Sequence, residues 1–372
     1  MKLAQVGEIL LALVALWLLL TALSNALFWP RVRQAQPIRP AHVSVLIPAR
    51  NEEANLPACL TAVLQQGETV GEILLYNDHS SDATEAVISD FAQRDARIRA
   101  VEPQPLPGGW CGKNFACAQL AQAARGRWLL FLDADTRLIA RAVERMVTEA
   151  EARELTLLSC WPGFELVGFW EKVLMPLLNT VVFSLFPGML SLTRPDPSLG
   201  LAHGACLLFE RATYHKLGGH AAVKDQIFED TRLAQLWRAR GERSLCLDGQ
   251  EIVRVRMYDS FSGIWLGFQK NFYPAFKRAS GFWGFLLLHA TVYLAPFYLA
   301  LFTQRLVFVV AASLILLLRL SLALRFKQPA WSTLLHPLTE MLLIVLGLTS
   351  WWRCKSGRGV TWKGRAYHKA RA

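Results

Sequence analysis

The sequence lacks the glycine-rich loops that most often bind phosphate. Neither G-x-x-x-x-G-K-[ST] nor G-x-G-x-x-G occurs in its 372 residues, which argues against a P-loop or Rossmann nucleotide site. Its seven cysteines are odd in number and contain no C-x-x-C pair, a pattern that predicts reduced, mostly buried cytoplasmic thiols. Internal repeats and low-complexity tracts are also missing.

Charge is scarce as well. Charged residues make up 19% of the chain and hydrophobic residues 53%, and the mean hydropathy of +0.27 indicates a membrane component. Residues 9–29 carry no charge, are long enough to span a bilayer and lack a clean small-x-small cleavage site, so we expect a transmembrane anchor over residues 1–30 rather than a signal peptide. Membrane helices are also expected over residues 281–352, from three apolar segments: 282–302, 306–324 and 333–352.

Basic residues set the expected orientation. Arg31, Arg33 and Arg39 follow the first span, so the positive-inside rule places the chain from residue 30 onward in the cytoplasm. The tail, residues 353–372, is basic and free of acids, which also favours the inside. Three full C-terminal crossings would leave that tail outside, so we expect residues 333–352, which polar side chains interrupt, to be re-entrant or interfacial. The prediction is a multi-pass cell-membrane protein with a cytoplasmic catalytic domain.

The net charge of +11 fits anionic lipid head groups more economically than nucleic acid, because the chain has membrane segments. We therefore expect no nucleic-acid partner. The sequence does not define an oligomeric state.

Strands and helices alternate between the membrane segments. The apolar run 43–47 stops at Pro48 and predicts a buried strand, and further strands are expected at 72–78, 97–102 and 126–133, with helices between them. This alternation predicts an α/β domain over residues 31–280 with a mostly parallel sheet.

The stretch WLLFLDADTRL at 128–138 places two carboxylates, Asp133 and Asp135, at the end of a buried strand. Side chains two apart share a face of an extended chain, so both carboxylates can bind one hard cation together with phosphate oxygens. The alternative is a loop start that caps a helix. Taken alone, the motif does not decide between them.

Polar loops follow three of the expected strands: PARNEE (48–53), NDHSSD (77–82) and DADT (133–136). Parallel strands would gather these loops at one edge of the sheet. A fixed carboxylate or amide suits the N–H edge of a uracil ring, which makes Asp78 and Asn51 candidates. A metal on Asp135 would compensate a diphosphate. The pattern indicates a nucleotide-sugar site.

Together, the stretches SVLIPARNEEANLPACL, LLYNDHSSDAT, LLFLDADTRL and FEDTRLAQLWRARG resemble glycosyltransferase family 2, which has the GT-A fold. The stretch PLPGGWCGKNFACAQLA at 105–121 is similar to the carotenoid glucosyltransferase branch and to hopanoid-associated enzymes, with a shared G-W-x-G-K-N core. The resemblance covers nearly all of residues 43–280.

The resemblance implies a nucleotide-binding role for Pro48, Asn51, Glu52 and Asp78. One departure is Asn77, which stands where the family usually has the first of two acids. That substitution puts the contact pattern with the nucleotide in doubt.

The resemblance also places Asp133 and Asp135 on the metal–diphosphate motif, and Glu229 and Asp230 on the E-D motif, whose Asp is the catalytic base in inverting members. From the residues alone, acids in the first turn of a helix more often complement its dipole. No convincing Q-x-x-R-W motif is present, which weakens a processive polysaccharide synthase as an interpretation.

Three further features stay open. Lys113 is either a solvated residue at a helix start or a partner of the diphosphate, and His203 is either a loop imidazole or an acceptor contact. The apolar segment 165–192 is either a core helix pair or, as we prefer, a segment in the membrane interface.

These observations predict an inverting transfer of a sugar, glucose being the expected one, from a UDP-sugar to a carotenoid or related terpenoid lipid, with Mg²⁺ or Mn²⁺ as cofactor. The alternatives are a polyisoprenyl-phosphate or diacylglycerol glycosyltransferase, or a non-catalytic GT-A-like membrane scaffold.

Overall fold

The computed structural model describes residues 3–32, 42–356, 360–362 and 365–367. Arg33 and Arg39, on which part of the expected orientation depends, lie outside these residues, as does much of the basic tail. The chain divides into a sheet-bearing unit and a helical unit. The sheet-bearing unit comprises Pro30–Glu165 and Leu190–Met257, and the helical unit comprises Met1–Trp29, Leu166–Met189 and Tyr258–Ala372.

Short strands recur through the described residues, and the first four are the strands that the sequence predicts. In chain order they are β1 (Val43–Ala49), β2 (Val70–Asn77), β3 (Ile98–Val101), β4 (Trp128–Leu132), β5 (Thr136–Leu138), β6 (Leu157–Trp161), β7 (Gly163–Phe164), β8 (Cys206–Glu210), β9 (Ser244–Asp248), β10 (Val253–Val255), β11 (Val360–Trp362) and β12 (Arg365–Tyr367).

Helices separate most of these strands and make up the apolar segments. They are α1 (Leu3–Phe28), α2 (Leu56–Leu64), α3 (Thr84–Arg94), α4 (Gly112–Ala123), α5 (Ala142–Ala152), α6 (Phe169–Leu174), α7 (Pro176–Leu185), α8 (Gly188–Thr193), α9 (Arg211–Leu217), α10 (Glu229–Ala239), α11 (Phe261–Asn271), α12 (Ala279–Leu288), α13 (Ala295–Thr303), α14 (Leu306–Arg325) and α15 (His336–Lys355). A π-helical stretch, His289–Leu294, joins α12 to α13.

The main sheet has seven strands in the order β3-β2-β1-β4-β8-β6-β9. Only β8 runs antiparallel to its neighbours β4 and β6, so the prediction of a mostly parallel sheet is confirmed. The strand order reverses at β1, which pairs with β2 on one side and β4 on the other. Ligands of open α/β sheets bind at such a switch point, beyond the carboxyl ends of the strands.

Two hydrophobic clusters cover the two faces of this sheet. Successive residues of a strand point to opposite faces, so Leu130 and Leu132 join one cluster while Leu129 and Phe131 join the other. The second cluster includes side chains of α4 and α10. This alternation decides which helices the residues just after β4 can contact. Six of the seven cysteines are buried, as expected.

Among the residues that the structure describes, the helical unit contains four helical segments that are long and apolar enough to cross a membrane. Each is at least as long as the roughly 20 residues that a bilayer requires. They are Gln5–Phe28, Ala279–Thr303, Leu306–Arg325 and Ala330–Lys355.

Candidate active site

The loops that follow β1 and β2 are tied together by hydrogen bonds. The backbone N–H of Asn51 donates to Ser80 Oγ at 2.9 Å, and Ser81 N–H donates to Asn51 Oδ1 at 2.8 Å. Glu52 N–H donates to Thr84 Oγ1 at 2.8 Å. These bonds tie Asn51 and Glu52 to the loop after β2, and α2 begins at Leu56. Asn51 has a φ of 52°, a left-handed conformation that asparagine tolerates better than most residues.

Asp78 follows β2 directly and is 9% exposed. Its N–H donates to Ala49 O at 2.8 Å, and Arg50 Nη1 donates to its carbonyl oxygen at 2.5 Å and lies 3.9 Å from its carboxylate. Pro48 lies within β1. Asn77, at the position of the family's first acid, hydrogen-bonds residues of its own loop and the following helix. Sequence reasoning did not identify Arg50, although it stands inside the PARNEE stretch.

The residues after β4 keep the alternation of the strand. Ala134 and Thr136 are 2% and 1% exposed, whereas Asp133 and Asp135 are only partly buried. Asp133 and Asp135 therefore share the more open side of the chain, as the D-x-D spacing predicts. Asp133 has the parity of Phe131, which faces the cluster containing α4 and α10.

Lys113, in the first turn of α4, forms ion pairs with one carboxylate of the D-x-D motif and one of the E-D motif. Its Nζ lies 2.7 Å from Asp133 Oδ1 and 2.9 Å from Glu229 Oε1. Burial of the ammonium opposes its charge, but the carboxylates of Asp133 and Glu229 outweigh that effect and hold the pKa of Lys113 well above its usual value. The side chain is 38% exposed and remains accessible to a ligand.

Asn114 positions the segment that leads into the E-D motif. Its Nδ2 donates to Val223 O at 2.8 Å and to Gln226 O at 2.9 Å, and the side chain is 1% exposed. Cys111 N–H donates to Lys224 O at 2.7 Å. The start of α4 thereby holds the loop that precedes α10. Sequence reasoning assigned Asn114 no role, although it ends the G-W-x-G-K-N core.

Asp230 is the second residue of α10 and is partly buried. Thr231 N–H donates to its Oδ1 at 2.6 Å, and the Gly204 N–H also donates to this carboxylate. A β-carbon at Gly204 would lie 3.3 Å from Asp230 Oδ2 and 3.3 Å from Lys113 Nζ, so glycine permits this close approach. Burial, followed by the negative charge of Glu229, raises the pKa of Asp230 to about 7.

His203 lies three residues before β8 in the sheet-bearing unit and is 8% exposed. Its ring packs against Trp161 and Phe164, and its Nδ1 accepts a hydrogen bond from Ala205 N–H at 3.3 Å. Burial lowers the pKa of His203 to about 4, so the imidazole is neutral at pH 7.

Within residues 3–32 and 42–356, no cluster of three or more His, Cys, Asp or Glu side chains has metal-binding geometry. Asp133 and Asp135 offer two carboxylates, one of which is paired with Lys113. A hard cation at this edge would therefore need oxygen ligands from substrate or water.

Comparison with known proteins identifies the family of the domain that contains these residues. The family model for glycosyl transferase family 2 matches residues 44–218, which include β1, β2, β4 and the polar loops after them. Residues 44–218 are a family 2 glycosyltransferase domain. The family 2 domain has a GT-A-like fold, as the resemblance implied.

A curated relative of the whole chain is 4,4'-diaponeurosporenoate glycosyltransferase of Staphylococcus aureus (strain MRSA252). It is 26% identical over 346 residues, covering 87% of this chain and 88% of the relative. Among solved structures, mannosyltransferase PcManGT from Pyrobaculum calidifontis, in complex with GDP-Man and Mn²⁺, has a TM-score of 0.53 at 17% identity, covering 94% of this chain and 96% of that one. This likeness supports the fold of the family 2 domain.

Proposed function

We propose that this chain transfers a hexose, glucose first among the candidates, from a UDP-sugar to a membrane lipid with inversion at the anomeric carbon. The observation that carries the proposal is the position of Lys113, whose Nζ contacts the D-x-D carboxylate Asp133 at 2.7 Å and the E-D carboxylate Glu229 at 2.9 Å. One ammonium thus joins the motif suited to a diphosphate to the motif suited to proton transfer.

Donor binding falls to the loops after β1, β2 and β4. Asn51, Glu52 and Asp78 lie on the two loops that hydrogen bonds tie together, which favours a rigid cradle for the base and ribose. The ammonium of Lys113 is accessible and permanently charged, so it can lie against a diphosphate oxygen.

The D-x-D carboxylates fit a divalent cation of the kind that most often accompanies diphosphates. Mg²⁺ is typically held by one or two carboxylates plus substrate phosphates and water, and Asp135 with Asp133 would supply that share. When bound, Mg²⁺ or Mn²⁺ neutralises charge that develops on the leaving diphosphate. Asp133 would be shared between this cation and Lys113.

Asp230 is the proposed general base. A carboxyl with its pKa raised to about 7 is a stronger base than an ordinary carboxylate and is still about half ionised at pH 7, which suits it to accept a proton from a hydroxyl. Glu229, held by Lys113, positions its neighbour. An ionised carboxylate acceptor would need no base, and the name of the S. aureus relative denotes such an acceptor.

A lipid acceptor is supported by the four apolar helical segments. The segment 165–192 has an exposed aromatic side chain: Phe169 is 54% exposed and stacks on Trp331, which is 45% exposed. Exposed aromatic rings of this kind are common at the membrane interface. We therefore place this segment in the interface and, from the basic residues after the first span, the catalytic domain in the cytoplasm.

The test is transfer of label from radiolabelled UDP-glucose to total membrane lipid by the purified full chain. We expect label in the organic phase, its loss with EDTA and its return with Mn²⁺ or Mg²⁺. Asp135→Asn should reduce transfer by roughly 100-fold or more. Asp90→Asn, the same change on an exposed residue of α3, should leave it unchanged.

Transfer at the same rate in EDTA would contradict the metal requirement. Transfer from GDP-mannose but not from UDP-glucose would contradict the proposed donor, and label that stays out of the organic phase would contradict the lipid acceptor.

A further inference from the structure

The helical unit buries a set of ionisable side chains between its apolar helices. His289, Arg319, His336 and Glu340 come from three of the four candidate spans, and each is at most 2% exposed. Ionisable side chains inside membrane spans are energetically costly, and they usually mark a functional site. The family 2 reaction assigns these residues no role.

These side chains lie at one level of the helix bundle. His289 Nδ1 lies 2.7 Å from Glu340 Oε2, His336 precedes Glu340 by one helical turn, and Arg319 is close enough to interact with the charge of Glu340. The π-helical stretch that begins at His289 also breaks the regular hydrogen bonding of its span. Such stretches are frequent at functional sites.

One guanidinium nitrogen of Arg319 donates a hydrogen bond, and the other two have no acceptor among the described residues. Nη1 donates to Thr180 Oγ1 at 2.6 Å, while Nε and Nη2 are buried and have no hydrogen-bond partner among the described residues. Nε–H and one Nη2–H lie parallel on the same edge of a guanidinium, and that edge matches the two oxygens of a carboxylate or phosphate. A buried donor without an acceptor is costly, so an unfilled edge points to a ligand.

Glu340 does not fill this edge. It is close enough to interact with the charge of Arg319, but within the described part of the chain the two form no ion pair. Its Oε2 lies 2.7 Å from His289 Nδ1, and its Oε1 lies 3.8 Å from His336 Nδ1. His336 Nε2 in turn donates to Tyr293 O at 3.0 Å. Glu340 thus bonds His289 through Oε2, its Oε1 has no hydrogen-bond partner among the described residues, and it offsets the charge of Arg319 only at a distance.

We propose that the free edge of Arg319 binds the oxyanion of a membrane lipid, a carboxylate or a phosphate. The lipid source is favoured because Arg319 belongs to a 20-residue apolar helix that is long enough to cross a membrane. Arg319 lies six residues before the end of that helix, about 9 Å along its axis, a depth that a head group can reach. This proposal does not depend on the sugar-transfer reaction.

The experiment uses the full chain in dodecyl maltoside and follows its thermal unfolding midpoint by tryptophan fluorescence. The probes are oleate and dioleoyl phosphatidic acid, with oleyl alcohol and inorganic phosphate as comparisons. At least one acidic lipid should raise the midpoint in a saturable way, because a ligand that binds only the folded state stabilises it. The alcohol and inorganic phosphate should not.

Variants of Arg319 test whether the lipid-dependent rise in the unfolding midpoint comes from this site. Arg319→Met should abolish the lipid-dependent rise, and Arg319→Lys, which keeps the charge but loses the two-donor edge, should weaken lipid binding by about tenfold. Arg305→Met removes an exposed arginine from the same unit and should respond as the wild type does.

Three results would overturn the proposal. Equal stabilisation by oleyl alcohol would mean that only the apolar chain binds, and equal stabilisation by inorganic phosphate would mean that the ligand is a free anion. An unchanged lipid response in Arg319→Lys, the variant most certain to fold, would place the lipid elsewhere.

Discussion

The Lys113 ammonium of the sheet-bearing unit and the Arg319 guanidinium of the helical unit have different sets of partners. In the sheet-bearing unit, the Lys113 ammonium contacts two carboxylates, at 2.7 Å and 2.9 Å. In the helical unit, the Arg319 guanidinium donates to one hydroxyl and leaves Nε and Nη2 without acceptors. A ligand at the first site must rearrange existing ion pairs, whereas a ligand at the second completes missing hydrogen bonds. The difference explains why mutations at the first site should act on catalysis, and mutations at the second on lipid-dependent stability.

The largest effect should come from Asp230→Asn. The amide keeps the shape of the side chain but accepts no proton, so transfer to a hydroxyl lipid should fall by roughly 10²–10⁴. Transfer to a carboxylate lipid should fall much less. Initial rates with matched hydroxyl and carboxyl terpenoid acceptors at saturating UDP-glucose measure both effects.

Glu229→Gln is the matched control and should be milder, since Glu229 acts through its neighbour. Near-normal turnover of Asp230→Asn on the hydroxyl acceptor would show that the base is another group. His203 was the next candidate from the sequence, but its lowered pKa of about 4 makes it a weak base.

The second effect is a pH dependence. Burial and Glu229 raise the pKa of Asp230 to about 7, so the carboxyl is protonated, and inactive as a base, below that pH. With a hydroxyl acceptor, kcat/KM should rise about tenfold per pH unit well below pH 7 and level off above it, a change of about 50-fold from pH 5 to pH 7. A profile that is flat from pH 5 to pH 7 would exclude Asp230 as the titrating base.

The smallest effect should be on stability, from Lys113→Met. Glu229 is 8% exposed and would lose its ammonium partner, so the free energy of unfolding should fall by roughly 1–3 kcal/mol. Lys216→Met removes a surface pair with Glu242 and should change it by about 1 kcal/mol or less. Thermal or denaturant unfolding of both variants makes the comparison. Equal changes would mean that Lys113 is no more than a surface lysine.

Much of the fold could be predicted from local patterns. The run from Trp128 to Leu132 reads as a buried strand because its residues are all apolar, and the two acids after it mark the end of the strand. The strand–helix alternation then indicates a parallel sheet whose loops share an edge.

The sequence by itself determined the strands, the apolar helices and the positions of the paired acids, because these depend on periodicity and on neighbours a few residues apart. Only the tertiary structure decided what those acids, Lys113 and Arg319 contact. Asn114 reaches a carbonyl 109 residues away, and Arg319 a hydroxyl 139 residues away. Such contacts follow from how the strands and helices pack, and packing is a property of the whole chain that no local pattern contains. The unfilled edge of Arg319 belongs to the same class, since a missing acceptor is visible only when every neighbour is in place.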